Sequence, residues 1–176
     1  MESRWNSIDK TWSGSPRKSI YKSDTSAGRI IFNNMKNWPK NVCQISDIDG
    51  VTVTFEQALT WAIRIAQFFK KRGLDHTSVI GIVAANTTYV MPLGVACLFN
   101  ATPFHAINPI LDEDTIKFMF GITKPQLIFC DKQNYNKVVE ATKDWSPEVY
   151  TISEPLEGKP SIQSLLEPTT TEKFYR

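Results

Sequence analysis

Histidine, cysteine and glycine are scarce in this chain, at two, three and eight among 176 residues. Each scarcity closes off a class of function. His76 and His105, with the widely spaced Cys43, Cys97 and Cys130, offer no metal-ligand spacing. An odd number of cysteines embedded in apolar runs reads as free core thiols in a reducing compartment, not as a disulfide frame. The glycines never cluster: neither G-x-G-x-x-G nor G-x-x-x-x-G-K-[ST] occurs, which argues against dinucleotide-binding and P-loop functions. Long apolar runs are missing as well. The longest weakly polar stretch, Val90 to Pro103, contains Pro92 and Asn100 and is too short to span a bilayer, so no transmembrane segment is expected. Glu2, Arg4, Asp9 and Lys10 interrupt the N-terminus, leaving no apolar core for a signal peptide.

Charge is nearly balanced at +2 but unevenly placed. Residues 1–40 hold eight Lys/Arg against three Asp/Glu, and the remainder holds twelve against fifteen. In that basic leader only Arg17 and Lys18 are adjacent, and no helical stripe collects the cations. A nucleic-acid partner is therefore not expected. Residues 1–27 lack apolar periodicity and read as a flexible basic leader, held only where Trp5, Trp12 or Tyr21 finds a groove.

What is present is a rhythm. Ile30, Ile31, Asn34 and Trp38 fit a short amphipathic helix that Pro39 ends. Asn41 to Ile45 and Val51 to Thr54 are β-rich, with Asp49-Gly50 supplying a positive-φ turn between them. Thr54 with Gln57 forms a capping-box pattern at the start of a helix. Phe55, Ala58, Leu59, Ala62, Ile65, Ala66 and Phe69 then recur on one face. Lys70, Lys71 and Arg72 suit the negative end of that helix, and Gly73 stops it. Val79 to Ala84 is an uninterrupted apolar strand, as in a parallel sheet covered on both faces. Asn86, Thr87 and Thr88 are able to cap the next helix, Val90 to Phe99. A strand follows around His105, then a helix capped at Asp112 or its neighbour and carrying Ile116, Phe118, Met119, Phe120 and Ile122. Gln126 to Cys130 is a strand, Asn134 to Lys143 a helix, Glu148 to Ile152 the last strand, and Ser161 to Leu166 a short helix. Strand-to-strand intervals of about 20–25 residues are those of βαβ units. The fold class expected is α/β, a mostly parallel, doubly wound sheet with flanking helices.

In such a sheet ligands sit beyond the carboxyl ends of the strands. The segments assigned there are Asn86-Thr87-Thr88, His105 to Asn108 and Asp131-Lys132, and none is a phosphate cradle. His105 reads as a loop or ligand-lining histidine, because neither a nucleophile nor an orienting partner can be assigned to it. His76 belongs to the opposite edge. Asp112-Glu113-Asp114 are explained by capping and the helix dipole, and Asn86 and Asn108 read as residues that hold loop backbone. No catalytic, cofactor-binding or metal residue is assigned.

The order of these pieces resembles the adenylate-forming (AMP-binding) enzymes, in the insect luciferase-like and acyl-CoA synthetase branch. The resemblance is carried by Thr54-Phe55-Glu56, the helix to Gly73-Leu74, Val79 to Ala84 with Asn86-Thr87, and Gly94. It continues through the turn Asn100 to Pro103, then Ile107-Asn108-Pro109 and Lys124 to Cys130, and covers about residues 28–166. Asn100 stands where relatives commonly have glycine and suits a positive-φ turn. The resemblance implies the first part of the large N-terminal domain, residues 28–166, followed by a truncated linker over 167–176. It also implies a parent that joins a carboxylic acid, a medium- or long-chain fatty acid above all, to coenzyme A through an acyl-adenylate, using ATP and Mg2+. The family's phosphate loop and C-terminal lysine have no counterpart here, so the 176 residues alone are expected to be non-catalytic. Two other readings stand beside this one: an interaction protein that pairs with a full-length ligase or with itself, and a small flavodoxin-like nucleotide-binding protein. By the same resemblance the parent is a candidate for the peroxisome. This chain, ending Phe174-Tyr175-Arg176, carries no such address and is expected in the cytoplasm.

Overall fold

The computed structural model describes residues 3–14, 19–47 and 50–168. The leader contains a small antiparallel hairpin, β1 (Arg4–Asn6) and β2 (Thr11–Ser13). Trp5 and Trp12 face each other in register with ring centroids 5.4 Å apart, so the two tryptophans meet one another instead of a groove. Arg17 and Lys18 lie outside the described residues.

Helix α1 (Ala27–Asn37) starts where the Ser26 hydroxyl accepts from the Arg29 N–H. Its buried residues are Gly28 and Met35, not the expected Asn34 and Trp38, which are exposed. Strands β3 (Val42–Ile45) and β4 (Thr52–Thr54) form a second hairpin, with Gly50 at φ +69° and a bulge between Val42 and Gln44; Asp49 lies outside the described residues. The segment ending at Thr54 pairs in the hairpin that the turn between the two β-rich stretches predicts, and it stays outside the parallel sheet. It has three residues with one buried side chain, Val53, and its hydrogen bonds are satisfied by β3 next to it in sequence.

Helix α2 (Phe55–Lys71) carries the capping box: Gln57 N–H donates to the Thr54 hydroxyl and the Gln57 amide oxygen accepts from Thr54 N–H. At its other end Gly73, φ +72°, donates to Lys70 and Leu74 donates to Phe69, the paired bonds of a Schellman stop. Ala58, Ala62, Ile65 and Phe69 form the buried stripe.

The remaining elements alternate in the expected order. They are β5 (Ile80–Val83), α3 (Val90–Phe99), β6 (Phe104–Ile107), α4 (Glu113–Thr123), β7 (Leu127–Cys130), α5 (Tyr135–Ala141) after a 3-10 turn at Lys132–Asn134, β8 (Glu148–Thr151) and α6 (Gln163–Leu166). The sheet order is β6-β5-β7-β8, every pair parallel. The chain as a whole is α/β with both parallel and antiparallel pairing, the antiparallel part confined to the two hairpins. Alternate residues of one strand feed different cores. Leu127 and Phe129 pack with α2 and α3, whereas Ile128 and Cys130 pack with α4 and α5.

Three expectations about detail are corrected. Helix α3 begins at Tyr89 with no side-chain cap, so Asn86, Thr87 and Thr88 do not cap it. Asn100 has an ordinary negative φ and Ala101 takes the positive one, +54°; the Asn100 amide instead ties Leu74 O and Thr102 Oγ1, each at 2.8 Å. On α4 the buried residues are Ile116 and Phe120, while Phe118 and Ile122 are each 72% exposed. A run of apolar residues at adjacent positions cannot all face one sheet across a 100° step per residue. Cys97 and Cys130 are buried, Cys43 is half-buried, and all three are free.

Candidate functional site

Connection α3 crosses one face of the sheet, while α4 and α5 cross the other, so the winding reverses between β5 and its neighbours. Such a reversal parts the loops at the carboxyl edge and leaves a crevice. Here it is an open cleft of about 620 Å³ lined by Ala85, Asn86, Asn108, Ile110, Asp131 and Asn134 among others.

Asp131 follows the last residue of β7 and is 2% exposed. Its N–H donates to Val83 O at 3.2 Å, its Oδ2 accepts from the Ala85 N–H at 2.7 Å, and its C=O accepts from the Asn134 N–H at 2.9 Å. The carboxylate thereby joins the β5 and β7 loops. Asn108 accepts from the Ile110 N–H at 2.9 Å, which is the backbone-holding part expected of it. Asn86 lines this cleft and a second one of about 500 Å³ bounded by Gln44, Ser46, Asp47, Thr87 and Met91. Among the described residues three buried side-chain oxygens have no hydrogen-bond partner: Asp131 Oδ1, Thr87 Oγ1 and Thr151 Oγ1. All three lie at or beyond the carboxyl ends of β7, β5 and β8.

The cations nearby are engaged. Lys132 reaches Glu154 at 3.5 Å, and Lys137 donates to the carbonyls of Pro109 at 3.0 Å and Leu111 at 2.8 Å. A triphosphate does not fit this lining, because a carboxylate and amide side chains stand where an anion needs cations or a ring of N–H groups. Among the described residues no group of three or more His, Cys, Asp or Glu is placed to hold a metal ion, and no helix is long and apolar enough to cross a membrane.

His105 does not belong to the carboxyl edge. It is the second residue of β6, its Nδ1 lies 3.0 Å from Thr123 Oγ1 at the end of α4, and its ring packs edge-on to Phe120 at 5.2 Å. Asp75, beside His76, accepts from the Thr77 hydroxyl at 2.7 Å and N–H at 2.8 Å, which hold its carboxyl below the ordinary range. Asp112 caps α4 through Thr115 N–H at 2.8 Å and is held low by that bond. In the basic triplet, Arg72 pairs with Glu148 and lies 5.8 Å over the Phe68 ring. Burial pushes the thiols of Cys97 and Cys130 up to about 12, which makes them inert. Sequence reasoning placed Asp131 at this edge but assigned it no part in joining the loops. Its only signal was an acidic residue directly after a fully apolar strand.

A parallel sheet between two helical layers, with a polar cleft at its carboxyl edge, is the α/β class. The family model for AMP-binding enzymes matches residues 31–172, and the chain belongs to that family. A luciferin 4-monooxygenase of Photuris pensylvanica is 31% identical over 88 residues, 49% of this chain and 16% of that protein. The luciferase-like enzyme of the nonluminescent Zophobas morio mealworm superposes with a TM-score of 0.78 at 17% identity, over 86% of this chain and 37% of that one. A benzoate CoA ligase of Burkholderia xenovorans gives 0.72 at 15% identity, over 81% and 28%. The chain thus spans about a third or less of the length of these relatives.

Proposed function

We propose that these residues form scaffold of an acyl-adenylate-forming carboxylic acid–CoA ligase, with a medium- or long-chain fatty acid as substrate, and that the 176 residues do not turn over by themselves. The supporting observation is the family match over residues 31–172 on a sheet shared with luciferase-like and CoA-ligase structures. The second part is supported by the carboxyl edge, where the cleft is lined by amide side chains and the Asp131 carboxylate and, among the described residues, by no lysine or arginine. In this reading ATP, Mg2+ and coenzyme A are held by residues other than these. The same reading places the chain in the cytoplasm, whatever the compartment of a ligase that contains it.

The test is acid-dependent ATP–pyrophosphate exchange across a panel of fatty and aromatic acids. It is run on the 176-residue chain and on a chimera carrying residues 28–166 in place of the matching stretch of a fatty acid–CoA ligase. The chain should give no exchange and the chimera should exchange with fatty acids. Exchange by the chain alone overturns the non-catalytic reading. A folded chimera that binds ATP but activates no acid overturns the scaffold reading.

A further inference from the structure

Helix α2 carries two stripes. Ala58, Ala62, Ile65 and Phe69 enter the core. Ile63, Ala66, Gln67 and Lys70, at positions i, i+3, i+4 and i+7, instead line a groove of about 410 Å³ shared with α1 and the end of α3. The three helices converge there. Asn100 ties the end of α3 to Leu74 just past α2, and the start of α1 packs through Gly28 on the Leu98 backbone. Phe32, Ile63 and Leu98 line the groove and belong to neither core. Apolar lining left to solvent gains free energy when a hydrophobic group covers it.

The charge at this groove is of one sign. Arg29 on α1 and Lys70 on α2 line it from opposite banks, both are exposed, and neither side chain has a hydrogen-bond or ion-pair partner among the described residues. Other cations at helix ends are engaged, Arg72 with Glu148 and Lys143 with Glu140. Among the described residues no Asp or Glu lines the groove. From Lys70 the lining runs back along α2 to Ile63, about 10 Å of helix rise, which an extended octyl chain spans. One end is thus cationic and the rest is apolar.

We propose that this groove binds a single-chain amphiphile with an anionic head, a carboxylate or a phosphate, held between Arg29 and Lys70 while its alkyl chain lies along Phe32, Ile63 and Leu98. A guanidinium meets either head as a fork, and the ammonium adds a point charge. The same two cations disfavour an alkylammonium. The groove shares no residue with the carboxyl-edge cleft, so the inference stands independently of the ligase reading.

The experiment titrates the full 176-residue chain with octanoate, n-octyl phosphate, n-octanol and n-octylammonium at matched ionic strength, with butyrate as the short-chain control. It follows the methyl groups of Ile63, Ala66 and Leu98 by 13C-resolved NMR. Both octyl anions should give saturable shifts at these methyls and bind about three- to tenfold more tightly than octanol, the factor that one or two exposed ion pairs carry. Octylammonium should bind more weakly than octanol. Butyrate, for want of four methylenes, should bind at least about tenfold more weakly than octanoate. Whichever octyl anion binds more tightly tells a fatty acid from a phosphate-headed lipid. The Arg29→Gln/Lys70→Gln double variant changes two exposed side chains; it should remain folded and bind octanoate, octyl phosphate and octanol alike. Equal binding of the anions and octanol by the unmodified chain, shifts confined to other methyls, or a folded double variant that keeps the preference would each overturn the proposal. If the double variant does not fold, the head-group series and the chain-length series decide it.

Discussion

Gly28 sits where α1 crosses α3, and the crossing leaves no room for a methyl group. A Cβ on Gly28 would lie 2.6 Å from the Leu98 carbonyl oxygen and 3.0 Å from its carbon. Both atoms are backbone of α3, so no rotamer change relieves the contact. Reaching ordinary van der Waals distance, 3.4 Å, requires the helices to part by about 0.8 Å. Overpacking of this kind costs about 1–3 kcal/mol. Gly121, on α4, is the matched control, because its Cβ would meet nothing within 4 Å. Gly121→Ala should stabilise by about 1 kcal/mol through helix propensity alone. Gly28→Ala has at most the same gain, from which the overpacking is subtracted. The two variants should therefore differ by roughly 1–3 kcal/mol, or about 6 °C in melting temperature at the middle of that range. Urea denaturation with the slope held common measures both. If the two substitutions shift stability equally and in the same direction, the close α1–α3 crossing is not what selects glycine at position 28.

Thr54→Ala removes the acceptor for Gln57 N–H and half of the capping box, and should cost about 1 kcal/mol in urea denaturation; Thr54→Ser should restore most of it, and an unchanged alanine variant would show that α2 is set by packing alone. Cys97 and Cys130 stay protonated to about 12 in the folded chain against an ordinary 9.0. Between those values the unfolded state binds fewer protons, so their contribution is fully present below pH 9.0 and is lost as pH rises toward 12. Stability should fall by about 1.4 kcal/mol per pH unit for each thiol. Denaturation curves at pH 8.5, 9.5 and 10.5 should show a shallower fall in Cys97→Ala, and an identical fall in that variant would refute the assignment.

Local chemistry was legible in the sequence wherever its partners lie close along the chain. The capping box of Thr54 and Gln57, the Gly73 stop, the Asp112 cap and the alternation of strands and helices all depend on neighbours within a few residues. The apolar runs at residues 80–83 and 127–130 announced strands covered on both faces, since four consecutive buried residues leave no solvent side. The stripe Ala58, Ala62, Ile65 and Phe69 announced the buried face of α2 by its spacing alone.

Other features depended on what meets across the chain. Apolar character marked Phe118 and Ile122 for burial, but the rotation of α4 over the sheet gives those positions to Ile116 and Phe120. The place of Asp131 at the carboxyl edge was legible, but its burial and its partner were not. Its sequence position says acidic residue after a strand; the bond to Ala85, 46 residues away, and the reversal of winding between β5 and its neighbours bury it in the wall of a cleft with one oxygen unspent.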